Sequence, residues 1–528
     1  MKRLIATTIF LIIATVLVTV LYFKNLSPPG VRTGEVMHSI PANAVAIFEF
    51  NNEKGFYDIF NGSPLLKTFV GEEKLSDLDT LRKLLITSPQ FSQFFDGQNM
   101  FISLHPASND DINLLITTRA SKTFNAAMFG NLTGTAKSAL QITPIQIASN
   151  QGYNVLIKPL NKHFYILKKG DNIFSGSFSK DLIDHSAIED KIKNNFEPLP
   201  EQQNASALAE LYVNYNQLDP LFNQLFSNKG TDIFKSFRLL PAFGALTLNY
   251  KSDALMFNGF TKKQGNSISY LNLFLAQQPV ENHLKDIFPS TTAYSTSFAI
   301  SNAAKFTTDL ANWQNKAGVG AERDQLLANV KAGSGMFLKS NFDDLLGNEF
   351  AIVTTRYFEK YAIISVKDGA KLQPLMVNIS NMVTDKVGQF NYEKLPFFLL
   401  GDAFSVFRKP YFIILDNYLV LASSVSELES YYDTYINRKL IGKTDQYIQF
   451  DNLLAERSNV AFFINFKNMQ PVLKRDLKKS FYNDFENSNS GWKNYYGAAY
   501  QLSSSSDKNF YTNFCMRLNT PDTSAIKK

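Results

Sequence analysis

Cysteine and histidine are scarce in this chain of 528 residues, and their scarcity excludes several classes of protein. Cys515 is the only cysteine, so no intramolecular disulfide and no cluster of thiolate ligands can form. Its apolar neighbours Phe514 and Met516 are typical of a small buried side chain. No two histidines have the i, i+4 spacing of a helical zinc site. The five are His38, His105, His163, His185 and His283.

Catalytic and nucleotide-binding motifs are also missing. The chain contains no G-x-S-x-G elbow, H-E-x-x-H pair, Walker loop or EF-hand loop. We therefore predict that the protein has no catalytic residues, binds no cofactor and no metal, and is not an enzyme. If an active site existed, the first candidates would be His105, His163 and His185, because an unperturbed histidine titrates near neutral pH. None has a recognisable partner in the sequence, so we expect their replacement by Asn or Gln to leave folding unchanged.

Charge is modest, whereas apolar residues are abundant. The formal net charge of +6 is spread along the chain without a basic run, which argues against nucleic-acid binding. Apolar residues make up 45% of the chain and aromatic residues 13%, which is enough material for two hydrophobic cores.

A long apolar run stands near the N-terminus. The 20 residues from Leu4 to Phe23 carry no charge and would rise roughly 30 Å as a helix, enough to cross a bilayer. We predict a transmembrane anchor at residues 1–24, with Lys2 and Arg3 favouring a cytoplasmic N-terminus. The alternative is a cleaved signal peptide, whose apolar region usually runs about 7–15 residues. Both interpretations place the remaining chain outside the cytoplasm.

A short linker is predicted to separate the anchor from the folded part. Residues 25–40 include Pro28-Pro29-Gly30, which cannot continue a helix and is typical of a stiff, extended spacer. The folded part is predicted to begin at Pro41. The last eight residues, 521–528, are predicted to form a polar tail.

Five sequence landmarks recur in the same order about 250 residues later. Their separations are 251, 250, 245, 251 and 253 positions, which predicts a tandem duplication with repeat domains at 41–285 and 286–520. The shorter third separation predicts that the second copy is trimmed between Gly369 and Lys409. The landmark pairs are Ala42–Asn51 with Ala293–Asn302, Asp96–Ile102 with Leu346–Ile352, Asp171-Asn172 with Asp416-Asn417, Tyr212–Pro220 with Phe463–Pro471, and Phe243–Ala245 with Tyr496–Ala498.

Local patterns within each copy are mixed. Two β-type runs around a turn-forming segment predict a hairpin in each copy, and the Asp-Asn landmarks predict further turns. Ser76 followed by leucines at helical spacing predicts a helix start. Asn51, Asn302, Asn214 and Asn465 each end a strand-like run and precede a helix-like one. We therefore predict an α+β fold with a largely antiparallel sheet and flanking helices.

The opening Pro41-Ala42-Asn43-Ala44-Val45-Ala46, after a single N-terminal span, resembles uncharacterised membrane-anchored envelope proteins of Bacteroidota. The resemblance covers the anchor, the linker and the first strand. It implies an extracytoplasmic, periplasmic location for the bulk of the chain. It supplies no site residues, because that family has no assigned activity.

Two functional hypotheses remain open at this stage. The first is a membrane-anchored binding or scaffold protein of the bacterial envelope, with a protein, lipid or glycan partner and no nucleic acid. The second is an envelope hydrolase whose active-site cleft lies between the two repeats. Exposed aromatic side chains would favour the first, and a polar cleft with facing carboxylates and perturbed pKa values would favour the second.

Overall fold

The computed structural model describes most of the chain beyond the N-terminal thirty residues. Both the predicted anchor at residues 4–23 and the predicted tail at 521–528 lie outside the described residues. Among those residues, no helix combines the length and the apolar character needed to cross a bilayer. The described residues are 31–61, 65, 72–89, 91–107, 112–121, 124, 139–170, 172–188, 207–228, 231–265, 268–486, 491–506 and 509–519.

Twenty of the strands in the described residues form one sheet, and two short strands, β11 and β19, pair separately. The strands are β1 Ala46–Asn51, β2 Asn99–Pro106, β3 Ile112–Arg119, β4 Leu140–Ile147, β5 Asn150–Ile157, β6 Lys162–Lys169, β7 Ile173–Ser177, β8 Ala209–Asn214, β9 Ala242–Tyr250, β10 Ala254–Lys263, β11 Val280–Glu281, β12 Thr292–Ala299, β13 Leu346–Thr355, β14 Lys360–Val366, β15 Ser380–Met382, β16 Gly388–Phe390, β17 Tyr411–Leu415, β18 Tyr418–Ala422, β19 Arg457–Ser458, β20 Val460–Asn465, β21 Tyr495–Ser504 and β22 Asn509–Leu518.

Helices fill the connections between these strands. The α-helices are α1 Val31–Met37, α2 Lys54–Asn61, α3 Glu72–Leu81, α4 Ser92–Phe95, α5 Lys180–Ile188, α6 Leu218–Leu225, α7 Lys235–Arg238, α8 Ala303–Lys316, α9 Gly320–Ser334, α10 Leu338–Leu345, α11 Gly369–Asn378, α12 Leu395–Leu400, α13 Val425–Ile436, α14 Asp445–Asp451, α15 Phe466–Asp476 and α16 Lys479–Glu486. Arg82–Ile86 is a π-helix, and short 3₁₀ helices span Tyr215–Gln217, Tyr270–Ala276, Leu284–Ile287, Asp402–Val406, Ile441–Lys443 and Trp492–Asn494.

The large sheet consists of two ten-stranded halves that share one strand order. From its outer edge inward, the first half runs β4-β5-β6-β7-β3-β2-β1-β8-β9-β10. The second half runs β15-β16-β17-β18-β14-β13-β12-β20-β21-β22, the same order when strands are ranked along the chain. β10 and β22 join the halves through nine antiparallel residue pairs, from Ala254↔Arg517 to Lys262↔Asn509. Every pairing is antiparallel.

The predicted α+β class with a largely antiparallel sheet is confirmed. Both predicted hairpins form, as β2–β3 and β13–β14. The side chains of Asn214, Asn302 and Asn465 accept backbone N–H groups at the starts of the helices that follow them, as N-cap residues do. Asn51 differs, because its buried side-chain oxygen has no hydrogen-bond partner in the described structure. Ser76 lies inside α3, which begins at Glu72, so the predicted helix start was wrong.

The predicted extended spacer at 25–40 is partly helical. Val31–Met37 forms α1, and Val36, Met37 and Ile40 are buried against Ile47 and Tyr212 of the sheet. Covering this apolar sheet face stabilises the fold, because each buried aliphatic side chain contributes roughly 1.5–3 kcal/mol. In the described part of the spacer, the chain therefore belongs to the folded core well before Pro41.

The predicted trimming between Gly369 and Lys409 was misplaced. Met100 lies opposite Thr118, whereas Phe350, its counterpart 250 positions later, lies opposite Ile364. The separation therefore drops from 250 to 246 positions (364 − 118) within the hairpin itself, before Gly369. From these matched pairs onward, the hairpin of β13 and β14 is four residues shorter than the hairpin of β2 and β3, which accounts for most of the difference.

Candidate functional site

The five histidines do not converge on a site. His38, His163, His185 and His283 are exposed on separate elements. Within the described chain, no group of three or more His, Cys, Asp or Glu side chains is placed to hold a metal ion. Cys515 is buried, and burial raises the pKa of its thiol to about 12, so it is not a reactive nucleophile.

His105 has partners that the sequence did not reveal. Its Nε2 lies 2.8 Å from the Ser103 hydroxyl and its Nδ1 lies 2.7 Å from the side-chain oxygen of Asn43. Because an amide oxygen only accepts, Nδ1 carries the proton and Nε2 accepts from Ser103. Ser103, His105 and Asn43 thus follow the order of hydroxyl nucleophile, base and orienting residue that is found in catalytic triads.

Burial nevertheless argues against catalysis by this trio. Ser103 is 0% exposed and His105 is 1% exposed, so a substrate does not reach the hydroxyl in this conformation. Burial also lowers the pKa of His105 to about 3, far below the value that suits a general base at neutral pH. His105 therefore acts as a neutral hydrogen-bonding bridge inside the sheet layer. Its replacement will affect folding, contrary to the expectation from sequence.

An open cleft of about 450 Å³ lies in the first half, where β1 ends and α2 begins. This volume falls within the range of small-molecule sites, roughly 300–1,000 Å³. The first and last residues of the π-helix, Arg82 and Ile86, line this cleft. Turns of π-helix occur frequently at functional sites. The lining residues are Asn52, Glu53, Lys54, Tyr57, Asp58, Arg82, Ile86, Thr87, Ser92 and Asp96.

Several polar groups of the cleft are held by one another. The Tyr57 hydroxyl donates to the Asn52 side-chain oxygen at 2.7 Å, and burial raises the pKa of Tyr57 to about 12. The Arg82 guanidinium stacks over the Tyr57 ring at 4.3 Å and bonds Asp79. Burial opposes ionisation of Asp79, but hydrogen bonds from Lys83 and Arg82 outweigh it and lower the pKa of this carboxyl. These contacts shape a rigid wall.

Three exposed carboxylates line this cleft. Glu53, Asp58 and Asp96 make no ion pair among the described residues, and neither does Lys54. Arg82 is neutralised by Asp79, so the groups left free give the cleft a negative balance. A hydrolytic acid–base pair would need two of these carboxylates on opposite sides of a scissile bond.

The turn between β13 and β14 projects two aromatic rings into solvent. Tyr357 is 57% exposed and Phe358 is 38% exposed. Arg356 lies over the Tyr357 ring at 4.8 Å, and Arg475 lies over the Phe358 ring at 4.0 Å. We call Arg356, Tyr357, Phe358 and Arg475 the aromatic tip. Tyrosine and arginine are the residue types enriched in binding hot spots.

Phe358 adopts an unusual backbone conformation in this turn. Its φ is +70°, in the left-handed region that bulky residues rarely enter. Its N–H donates to the Thr355 carbonyl at 3.0 Å, and the Thr355 N–H donates to the Glu359 carbonyl, so the turn is closed around it. Glycine is the usual residue at such a position. A phenylalanine here costs about 1–3 kcal/mol, which suggests that the ring is retained for a purpose other than the turn.

The contact between the halves is a packed core where the described residues meet. The Phe234 ring from the first half lies 4.9 Å from Phe462 and 5.8 Å from Tyr500 of the second half. The Tyr215 hydroxyl bonds both Tyr500 and Thr261, so buried hydroxyls pin the same contact. The cleft that the hydrolase hypothesis places between the repeats is not at this contact.

Sequence reasoning missed both the cleft and the aromatic tip. The run Arg356–Lys360 in the turn of the second predicted hairpin contains adjacent Tyr and Phe residues, which is a usable signal for an exposed aromatic tip. The sequence carries no such signal for the cleft, because its lining residues come from three segments, 52–58, 82–87 and 92–96. Comparison with protein-family models, with curated proteins and with solved structures finds no match to this chain.

Proposed function

We propose that the protein is a non-catalytic binding or scaffold protein of the bacterial envelope, anchored by residues 4–23 with its bulk in the periplasm. The aromatic tip is the observation that carries the binding role. It presents two solvent-exposed rings, each stacked by a guanidinium, on the closed turn of an otherwise buried hairpin. We favour a protein partner, because Tyr and Arg together dominate protein–protein hot spots.

The tip is suited to insertion into a partner surface. The stacked guanidinium groups restrict the two rings, so binding would lose little side-chain freedom. Arg356 donates to the Tyr357 hydroxyl at 2.6 Å and has no ion-pair partner among the described residues, so its guanidinium can donate to a carboxylate of the partner. Arg475 is bonded to Asp476 by two hydrogen bonds of 2.6 and 2.8 Å, so its position over Phe358 is fixed.

Site-specific crosslinking from native membranes tests this role. A photoreactive phenylalanine at position 358 should capture a discrete partner. Tyr511 is the matched control, because its side chain is 39% exposed against 38% for Phe358 and lies on β22. The capture at 358 should disappear in Tyr357→Ala. Equal capture at 358 and 511, or capture that survives Tyr357→Ala, would contradict a specific binding tip.

We propose as well that the chain arose by tandem duplication of one ten-stranded unit. The shared strand order and the matching N-cap roles of Asn214 and Asn465, 251 positions apart (465 − 214), support it. An experimental structure should superimpose Pro41–Gln278 on Pro289–Asn519, with Gly97 over Gly347. Different folds for the two segments would end this proposal.

The membrane anchor is a separate proposal that rests on the uncharged run from Leu4 to Phe23. The protein should stay in the membrane pellet after carbonate washing. Release of a mature fragment beginning near Lys24 would favour the signal-peptide alternative.

The alternative function is a hydrolase. Its active site would lie in the open cleft of the first half, since the trio around His105 is buried. Its candidate groups are Glu53, Asp58 and Asp96, which are free carboxylates in a cavity of ligand size. If the protein hydrolyses an envelope substrate, Asp58→Asn should abolish turnover without unfolding the chain. Ser103→Ala distinguishes the buried trio, since only a serine-dependent mechanism loses activity there. Retention of the cellular phenotype in both variants supports the binding role.

A further inference from the structure

A second, smaller cavity of about 40 Å³, partly open to solvent, lies in the second half. Its floor is one face of strands β12, β13, β20 and β21, and its cover is formed by residues 282–288 and 447–455. Ser297, Glu349 and Gln501 line it, and so does Ser295, which is 1% exposed. A cavity with such polar walls differs from the apolar voids that remain dry.

The sheet register explains why space is left here. Glu49 pairs with Glu210 across β1 and β8, and the corresponding pair across β12 and β20 is Ser297 with Ala461. This register places Ser297 248 positions after Glu49 (297 − 49) and Ala461 251 positions after Glu210 (461 − 210). At the latter separation, Tyr212 corresponds to Phe463. Ser297 and Ala461 are smaller than the two glutamates to which they correspond, and Phe463 lacks the hydroxyl of Tyr212.

The first half fills the equivalent position with side chains. The Tyr212 hydroxyl lies 2.8 Å from the Glu49 carboxylate and also bonds Glu210. Asn99 donates to the other oxygen of Glu49 at 2.7 Å. The polar atoms of this cluster thus occupy the volume that remains open in the second half.

Polar groups that face the cavity lack protein partners. The hydroxyls of Ser295 and Ser297 make no hydrogen bond to another described residue, although Ser295 is almost completely buried. A buried hydroxyl without a partner is strongly unfavourable. Glu349 accepts the His283 N–H at 2.7 Å, and burial raises the pKa of its carboxyl. Ala299, two residues after Ser297, lies opposite Glu349, so the three polar side chains share one face of the sheet.

The volume of the cavity decides which kind of molecule can occupy it. Small-molecule sites need roughly 300 Å³ or more, which excludes an organic ligand. A water molecule needs about 10–15 Å³ measured in the same way, so about three waters fit. We propose that this cavity is a permanent binding site for about three ordered water molecules that link the Ser295 and Ser297 hydroxyls to the Glu349 carboxylate.

The cover holds these waters in place. Lys285 Nζ lies 2.8 and 2.7 Å from the two carboxylate oxygens of Asp451, which ties together both covering segments. Gln501 clamps the backbone N–H and carbonyl of Ala455 with two bonds of 2.9 Å. These contacts hold the cover over the cavity and narrow its access to bulk water, so the waters should be long-lived.

The direction in which Ser295→Ala shifts the midpoint of thermal unfolding distinguishes a hydrated cavity from a dry one. In the full chain, Ser295→Ala removes a hydrogen-bond partner of the waters and should lower the midpoint of thermal unfolding by about 1–3 °C. In a dry cavity it would remove an unsatisfied hydroxyl and raise the midpoint. Ser423→Ala, an exposed serine, is the control and should leave the midpoint unchanged. A midpoint that rises or stays constant in Ser295→Ala overturns the proposal.

A second variant counts the waters directly. Phe463→Tyr adds the hydroxyl that Tyr212 carries in the first half and should displace one water. Oxygen-17 magnetic relaxation dispersion should then show one long-lived internal water fewer than in the wild type, and an unchanged number would overturn the proposal. A bound ion is tested by replacing sodium with choline at constant ionic strength. If this replacement changes the unfolding midpoint of the wild type but not that of Glu349→Gln, the cavity holds an ion instead of water and the proposal is overturned.

Discussion

Acidification should destabilise the first half through His105. Burial lowers the pKa of this imidazole to about 3, whereas in the unfolded chain it should lie near 6.5. Between these two values the unfolded state binds more protons, so stability rises with pH. The contribution of neutral His105 is complete above about pH 6.5 and is lost as pH falls toward 3. At about 1.4 kcal/mol per pH unit, the loss is about 2 kcal/mol at pH 5 and about 5 kcal/mol at pH 3.

Urea unfolding between pH 5 and 7.5 measures this slope. His105→Asn should be less stable than the wild type at pH 7, because the bridge between Ser103 and Asn43 is lost. On acidification from pH 7 to pH 5, the free energy of unfolding of this variant should fall by about 2 kcal/mol less than that of the wild type. His163→Asn, an exposed histidine, should retain the wild-type slope. Equal slopes for the wild type and His105→Asn would refute the assignment of a buried, neutral imidazole.

Three further predictions follow from packing and backbone geometry. Phe237→Ala should cost about 3–5 kcal/mol, because this ring is 0% exposed in the core shared by both halves; proteolysis should then separate the halves more readily. Phe358→Gly should keep or raise the free energy of unfolding, since glycine tolerates φ +70°, while it should reduce partner capture by a photoreactive phenylalanine placed at position 357. Deleting residues through Gly30 should yield a soluble, folded protein, whereas deletion through Ile40 should expose the sheet face that α1 covers and cause aggregation.

Much of the local structure was predictable because its causes are local. The hairpins follow from alternating apolar runs around turn formers, and Asn465 caps α15 because a short polar side chain can reach the N–H groups of the next turn. The Asp416 turn follows likewise, since its φ of +50° suits Asp. Asp171 lies outside the described residues, but its neighbour Asn172 also has a positive φ, +58°, in the corresponding turn.

Nonlocal features could not be predicted in this way. The pairing of Asn258 in β10 with Asn513 in β22 joins residues 255 positions apart (513 − 258), and no local pattern distinguishes it from other strand contacts. The buried state of His105 depends on Asn43, which lies 62 positions earlier. The cavity in the second half depends on the combined sizes of side chains from different strands, among them Ser297, Ala461 and Phe463. Each of these residues is ordinary on its own strand.

The two halves differ in the connection between their first and second strands. This connection has 47 residues in the first half (52–98) and 46 in the second half (300–345). In the second half it forms α8, α9 and α10, which bury Phe306, Leu310 and Val330 in the main core. In the first half the same sheet position carries the π-helix and the open cleft. Connections of nearly equal length, on the same strand order, thus form a packed core in one half and a ligand-sized cleft in the other. Functional differences between the halves therefore depend on the segments packed against the sheet, because the order of its strands is common to both.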